Sequence, residues 1–381
     1  MRVAQHRWTS EGDWKVRSNG SVPKEPQLVL VFGAQQLLSD ATVFRRLRER
    51  FPIGTLVCCS TAGEISQEEV TDDSLVATEL ELERSSLRVV ARELRDPAES
   101  AAVGSEVAAA LSAPSLRHVV VLCEGLSING SALAEGMRKR LPETVAVTGG
   151  LAGDGARMAT TCVGCDAPPK PGQVVAIGFY GDALHVGFCS LGGWDPFGPE
   201  REITRSKGNV LYELDGKSAL QLYREYLGEH AEQLPSSGLL FPLAVRAPDS
   251  ATSLVRTLLA VDDEHESITY AGDIPQHSRA RLMRANFDRL IEGAVGAARE
   301  AARPTDPDVT TLALLVSCVG RKLLLGQRIE EEVEGVREVL GPGPVLAGFY
   351  SYGEICPQMG AVRCELHNQT MTITTLWEET V

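Results

Sequence analysis

Three acidic residues stand at matching places along this 381-residue chain. Glu64, Asp154 and Glu354 each follow a glycine that closes an apolar run, in CCSTAGEI, VTGGLAGD and GFYSYGEI. Open α/β sheets place ligand-binding groups just past the C-terminal ends of strands. Three carboxylates meeting there would hold an ammonium group, and so would suit an amino acid or an amine. Tyr350 and Tyr352 flank the third acid and would close the apolar side of the same hollow. A structural reading competes: Gly63, Gly153 and Gly353 supply positive φ to tight turns, and the acids cap nearby backbone amides. The two roles are compatible.

Other residue types widen the chemistry. Cys59 could serve as a nucleophile, but a thiolate needs a base or a helix N-terminus to lower its pKa. The first unit holds no histidine beyond its N-terminal arm, so a packed or pocket-lining thiol is the preferred reading. Cys162 and Cys165 form a C-x-x-C that looks like half of a zinc site. Its second pair is missing; Cys189 and His185 are the nearby ligand types, and redox pairing of the two thiols is the other alternative. His367, in ELHNQT, is either part of a turn or an imidazole facing the pocket. Segment 125–136, GLSINGSALAEG, resembles an anion loop ahead of a helix, where Ser127, Asn129 and Ser131 are ordinary caps. That helix N-terminus would suit a ligand carboxylate. No P-loop, Rossmann fingerprint, nucleophile elbow or HExxH motif occurs.

The three acids sit in one repeated grammar. Residues 28–65, 118–154 and 312–355 each read as an apolar run, an amphipathic helical stretch, a second apolar run, then glycine and acid. In the first copy a strand covers Leu28 to Phe32 and a helix runs from about Asp40, its N-cap, to Phe51. Fully apolar strands joined by a crossover helix predict parallel pairing under helices. After each acid comes an alternating, turn-punctuated stretch that predicts an antiparallel hairpin, over 75–93, 173–190 and 361–378. Segment 200–305 differs: two strands, a turn at Asp215-Gly216, a helix, a hairpin around Asp262–Glu266, a second helix, then the PTDPD linker at 304–308. The expected fold is α/β, with repeated β-α-β-loop-β-hairpin units forming mixed sheets flanked by helices, in two closely packed domains. Residues 1–26 read as a mobile arm, 27–200 as the first domain and 201–381 as the second.

Composition excludes several classes. Hydrophobic residues make up 43% and charged residues 23%, a globular balance. A formal charge of -14, with no basic stripe, argues against nucleic acid. No apolar run reaches membrane-helix length and the N-terminus has no signal-peptide pattern, so a cytoplasmic protein without a membrane partner is expected. Nine cysteines without a secretion signal imply reduced thiols.

The collinear motifs CCSTAGEI, GGLAGD, ITRSKGNVLYELDGKSALQLYREYLG, SCVGRK, GFYSYGEI and ELHNQTMTIT make the chain resemble the FIST family over residues 28–378. The resemblance implies tandem FIST N-like and FIST C-like domains forming a sensory, signal-input module for small molecules, with amino acids or related polar ligands proposed. It implies no catalysis and no obligatory cofactor. Family members are often fused to an output domain; here output is expected through a separate partner, such as a histidine kinase or a cyclic-dinucleotide signalling protein. The expected ligand-binding residues are Cys59, Thr61, Glu64, Asn129, Gly150, Asp154, Tyr350, Tyr352, Glu354 and His367. Some similar proteins bind haem and sense nitric oxide, which makes His367 a candidate axial ligand, with His118, His185 and His277 as rivals. A cysteine-dependent enzyme using Cys59 is the other alternative.

Overall fold

The computed structural model describes residues 1–9, 14–17, 21–248, 250–301, 304, 306, 309–358 and 364–379. The first unit contains β1 (Arg2–Thr9), β2 (Leu28–Ala34), α1 (Ala41–Arg50), β3 (Thr55–Thr61), β4 (Glu64–Ser66), β5 (Ser74–Glu81) and β6 (Ser86–Glu93). The second contains α2 (Ser100–Leu111), β7 (Leu116–Cys123), α3 (Gly130–Arg138), β8 (Ala146–Leu151), β9 (Val163–Cys165), β10 (Gln173–Tyr180) and β11 (Leu184–Leu191). An inserted segment follows, with β12 (Asp195–Lys207), β13 (Val210–Leu214), α4 (Ala219–Leu227), β14 (Leu243–Arg246), β15 (Leu254–Arg256), β16 (Leu258–Asp262), β17 (Ser267–Tyr270) and β18 (Arg279–Arg284). The third unit contains α5 (Phe287–Glu300), β19 (Thr311–Cys318), α6 (Val319–Leu325), α7 (Ile329–Leu340), β20 (Val345–Ser351), β21 (Gly353–Pro357), β22 (Cys364–His367) and β23 (Met371–Glu378).

Each unit builds the heart of one sheet. The parallel pairs β2–β3, β7–β8 and β19–β20 each take an antiparallel third strand, β5, β10 and β23 respectively. The units then exchange strands. β4 leaves the first unit to pair with β20; β9 leaves the second to pair with β3; β21 leaves the third to pair with β8. The result is three mixed sheets. Their inward-facing residues, among them Leu30, Phe32, Leu122, Ile177, Leu314 and Phe349, form one shared core. Alternate residues of the same strands face outward under helices: Val29 and Val31 pack with Leu47 and Phe51. Burial on both faces is what the unbroken apolar runs predict. The inserted segment forms a separate sheet, in the order β15–β14–β18–β12–β13–β17–β16.

The helix near Asp40 and the turn and hairpin expected in the insert are present: Asp40 caps α1 through Thr42 N, and β16 pairs with β17. The three predicted hairpins are not. The strands of each pair lie in different sheets: β5 from β6, β10 from β11, and β22 from β23. β6 pairs with β10, and β11 with β23. Alternation reports which face of a strand is buried, not which neighbour it finds. Here each turn carries the chain over to the next sheet. Residues 361–363 of the last predicted hairpin lie outside the described residues.

The expected mobile arm also departs from prediction. β1 pairs with β5 along its whole length, from Arg2 opposite Glu81 to Thr9 opposite Ser74. Val3, Ala4, Gln5 and His6 are buried in it. Its mixed polar composition hid a strand whose polar side chains are satisfied internally: Gln5 Nε2 donates to the Leu346 carbonyl at 2.9 Å, and His6 meets Glu79 at 2.8 Å. β1 occupies beside β5 the place that β6 takes beside β10 and β11 takes beside β23. Segments on both sides of residue 200 therefore share sheets.

One buried ion pair ties the helices of the third unit to each other and to the chain that leads into the insert. Arg321 and Glu332 are both fully buried, on α6 and α7, with Nη2 2.7 Å from Oε2. The guanidinium also donates to the carbonyls of Gly192 at 2.6 Å and Leu290 at 2.7 Å. The carboxylate's other oxygen accepts from Ser317 at 3.1 Å and Tyr350 at 2.8 Å. Removing one partner leaves an uncompensated buried charge, which costs about 3–5 kcal/mol. Arg321→Met and Glu332→Gln should each lower stability by about that much in urea unfolding. The double variant should lose clearly less than the sum of the two.

Candidate functional site

The three acids are buried, and their surroundings differ. Glu64 sits where the chain crosses from β3 into β4, accepting the Thr61 hydroxyl at 2.5 Å and the Ser74 hydroxyl at 2.6 Å. Glu354 repeats this in the third unit, accepting the Ser351 hydroxyl and the Thr370 hydroxyl, each at 2.8 Å. Each therefore ties the strand crossover to the start of its own unit's antiparallel strand. Burial raises Glu64 from the ordinary carboxyl range to about 7 and Glu354 to about 8, against the opposing pull of those donors.

Asp154 is different. Burial pushes its carboxyl up too, but the N–H of Thr160, the Tyr352 hydroxyl and the N–H groups of Ala159 and Met158 outweigh it, and the net shift is downward. The three amides lie at 2.9, 3.0 and 2.9 Å. The capping role is thus filled by all three acids. The glycines do not share one conformational role: only Gly63, at φ 135°, has the positive φ expected of the three. Gly153 is needed for close approach, since a Cβ there would lie 2.8 Å from the Ala62 nitrogen.

A cleft opens beside Asp154, between the three-sheet body and the inserted sheet. It has two lobes that share Met158, Leu259, Ala271 and Tyr352. One lobe, about 280 Å³, is polar at its far wall, with Ser127, Asn129 and Gly130 on one side and Asn209 and Asp273 on the other. The second, about 370 Å³, is walled mainly by apolar groups, including Pro235, Leu239, Leu258, Val319 and Leu323. Tyr352, at their junction, donates its hydroxyl to Asp154. Met158 is held in the left-handed region at φ 48°, its N–H directed to Asp154 and to the Tyr352 oxygen. Asn129 caps α3, accepting Ala132 N at 3.0 Å, so the first turn of that helix faces the polar lobe.

Of the ten expected site residues, Asn129 and Tyr352 line this cleft and Asp154 supports Tyr352 from behind. The other seven lie outside its walls. Thr61 and Glu64 bond to each other, and Gly150 lies opposite Glu354 between β8 and β21. Tyr350 is turned into the Glu332 network. Cys59 is buried in the shared core, and burial pushes its thiol well above the ordinary range, the reverse of what a nucleophile needs. His367 is buried with Nε2 2.9 Å from the Cys356 carbonyl, and burial lowers it to about 4. His367 lines neither lobe of the cleft, so it is not placed to ligate a haem seated there.

The rival histidines fit no better. His118 is buried against the Thr148 hydroxyl at 2.8 Å, His185 stacks on Trp377, and His277 is exposed beside Glu202. Cys162 precedes the edge strand β9 and Cys165 ends it; the strand pairs with β3. Cys162 packs under α1 while Cys165 faces the shared core, so the two thiols point to opposite sides. All nine cysteines are free. Among the described residues no group of three or more His, Cys, Asp or Glu is placed to hold a metal ion.

Sequence reading missed four contributors. Glu124 is a further buried acid; it accepts Leu126 N at 2.9 Å and Ser127 N at 2.8 Å and so shapes the loop before α3. Its signal was present in CEG, an acid and a glycine at a strand end. Arg321 in SCVGRK carried the signal of a charge directly after a buried strand. Asp273 and Leu323 gave none, because each enters the cleft from an element whose position no local pattern reveals.

These features define a class: three strand-exchanging α/β units, an inserted antiparallel sheet, and a cleft of mixed polarity between them. The chain belongs to the FIST family, matching the FIST N domain over residues 27–217 and the FIST C domain over 219–357. FIST domains are generally small-ligand sensory domains of signalling proteins. The chain is 25% identical over 184 residues to an uncharacterized protein of Methanocaldococcus jannaschii, a match covering 43% of this chain and 34% of that one. It thus aligns with about a third of the length of that curated relative. Among solved structures, the cyanuric acid hydrolase from A. caulinodans is similar at 9% identity and TM-score 0.33, covering 94% of this chain and 91% of its own. A second cyanuric acid hydrolase gives 11% and 0.34, covering 99% of each chain. Likeness that slight carries no argument about activity. Among the described residues no helix is long and apolar enough to cross a membrane.

The buried glutamates make stability depend on pH. Each binds its proton more tightly folded than unfolded, so its contribution is full below the ordinary carboxyl range and is lost as pH rises through about 7 and 8. His118 and His367, lowered to about 3 and 4, act in the opposite sense but only below about pH 6.5. Melting temperature should therefore fall between about pH 7 and pH 8. Glu354→Gln should flatten that slope, and a wild-type slope retained in the variant would reject the assignment.

Proposed function

We propose that this protein is a small-molecule sensory module that binds an amino acid or a related amine in the two-lobed cleft, without catalysis. The observation that carries the reading is Tyr352. It stands in both lobes and is anchored on the one expected acid that stays ionised. A zwitterion suits the polar lobe: its carboxylate would meet the first turn of α3 beside Asn129, where backbone N–H groups favour anions. Its ammonium would meet Asp273. Asp273 is a wall residue of that lobe; Arg256, whose Nε donates to the Asp273 carbonyl at 3.1 Å, lies close enough to balance part of its charge. Charge-assisted bonds of this kind are the strong ones in a partly apolar site.

A ligand touching Met158 and Tyr352 on the body and Leu259 and Ala271 on the insert would bridge the two. Bridging favours whichever relative position of the two closes on it, which is a means of signalling. Output would pass to a separate partner, of the histidine kinase or cyclic-dinucleotide signalling kind. A calorimetric screen of amino acids and amines tests the reading. Asp273→Asn should weaken any hit by about tenfold or more, whereas Glu64→Gln, outside the cleft, should leave affinity within about twofold. Equal loss in both variants, or none in either, would locate binding elsewhere.

A further inference from the structure

Exposed large apolar side chains gather at one place on this molecule. Eight are exposed among the described residues, and four of them, Leu126, Met158, Leu259 and Leu323, stand around the two-lobed cleft. The other four, Val16, Val22, Ile53 and Phe287, are not in its walls. Scattered apolar groups need no explanation, but a cluster rimming a concave site marks what the site is built to cover. Met158 is also kept in an unfavourable backbone conformation at φ 48° by Asp154 and Tyr352, and its thioether stands at the junction of the lobes. A flexible, polarisable side chain there adapts to apolar or ring-bearing surfaces.

The apolar lobe, about 370 Å³, has volume enough for a large side chain. One polar group in its wall is unusual. Thr257 is 6% exposed, and its hydroxyl has no hydrogen-bond partner among the described residues. Leaving a buried hydroxyl unpaired is costly, so a partner from the ligand would be rewarded.

From these observations we infer that the ligand carries a large apolar side chain that fills the second lobe and ends in a hydrogen-bonding group that meets Thr257. This rests on the reading of the polar lobe as the zwitterion's site, and it narrows the ligand class to hydroxylated or NH-bearing aromatic amino acids and their close analogues. The polar lobe takes the backbone groups common to every amino acid; the apolar lobe selects among them. Small and acidic amino acids would leave the rim exposed and the Thr257 hydroxyl unpaired.

Titration calorimetry with glycine, L-glutamate, L-leucine, L-phenylalanine, L-tyrosine and L-tryptophan tests the inference. Burying a methylene is worth roughly a fourfold gain in affinity, so glycine and L-glutamate should bind at least about tenfold more weakly than L-phenylalanine. L-Tyrosine or L-tryptophan should bind about fivefold more tightly than L-phenylalanine, a preference that Thr257→Val should erase while leaving L-phenylalanine unchanged. Leu323→Asp, at the exposed rim, should weaken all the aromatic probes by about tenfold without affecting glycine. If glycine or L-glutamate binds as tightly as the aromatics, the inference is overturned and the zwitterion site survives. An aromatic preference that ignores Thr257→Val overturns the assignment of the polar tip. If no amino acid binds at all, the proposed function fails with it.

Discussion

A fully buried guanidinium holds the helices that form one wall of the cleft against the chain that leads into the insert. Arg321 reaches α7 through Glu332, the β11–β12 connection through the Gly192 carbonyl, and α5 through the Leu290 carbonyl. In a dry interior, each of those acceptors is worth having only if the charge is balanced, and Glu332 balances it. Glu332 in turn holds Ser317 and Tyr350, the ends of β19 and β20. The network therefore fixes α6 against the strands it leaves and against the chain entering the insert. Val319, Gly320 and Leu323 of α6 form one wall of the cleft. That wall is thus set by a polar cluster that never touches it.

The same sequence grammar gives two kinds of acid because the donors differ. Glu64 and Glu354 meet two hydroxyls and one amide each, in sites so dry that the proton is retained up to neutrality. Asp154 meets three backbone N–H groups and a phenol, enough to hold the charge despite burial. The difference follows from chain length. In the second unit the acid is followed by a turn, 155–160, whose amides fold back on it, rather than by a strand running directly into the neighbouring sheet. A shorter acid and a longer turn make an anionic post; a longer acid at the head of a strand makes a neutral clamp.

Periodicity made the units, the parallel pairs and most helices legible, because these depend on local burial. Asp40 is a cap in sequence and in structure, and the unbroken run from Leu28 to Phe32 is buried on both faces. Pairing was illegible where strands change sheet. Nothing in 75–93 states that β5 and β6 part company, since a turn of the same length can close a hairpin or bridge two sheets. The site was legible in part for the same reason. Asn129, Asp154 and Tyr352 are positioned by their own units, whereas Asp273 and Thr257 belong to the insert and reach the cleft only once it has docked. His367 and Cys59 drew attention by residue type, but the strands that carry them point both into packed interior.

Tyr352 is where stability and recognition become one question. Its ring is part of both lobes, and its hydroxyl closes the Asp154 site by donating to the carboxylate while the oxygen receives Met158 N–H. The carboxylate stays ionised because the turn supplies amides, and the turn keeps its shape, including Met158 in the left-handed region, because the carboxylate is ionised. Neither half holds alone. A molecule seated against the ring and the thioether therefore presses on a closed electrostatic loop that begins two residues before Glu354 and the crossover into β21. Displacement of the ring strains both of these hydrogen bonds at once, so the loop responds as a unit rather than by gradual yielding. A cleft floored by such a unit is suited to report occupancy to the strands behind it.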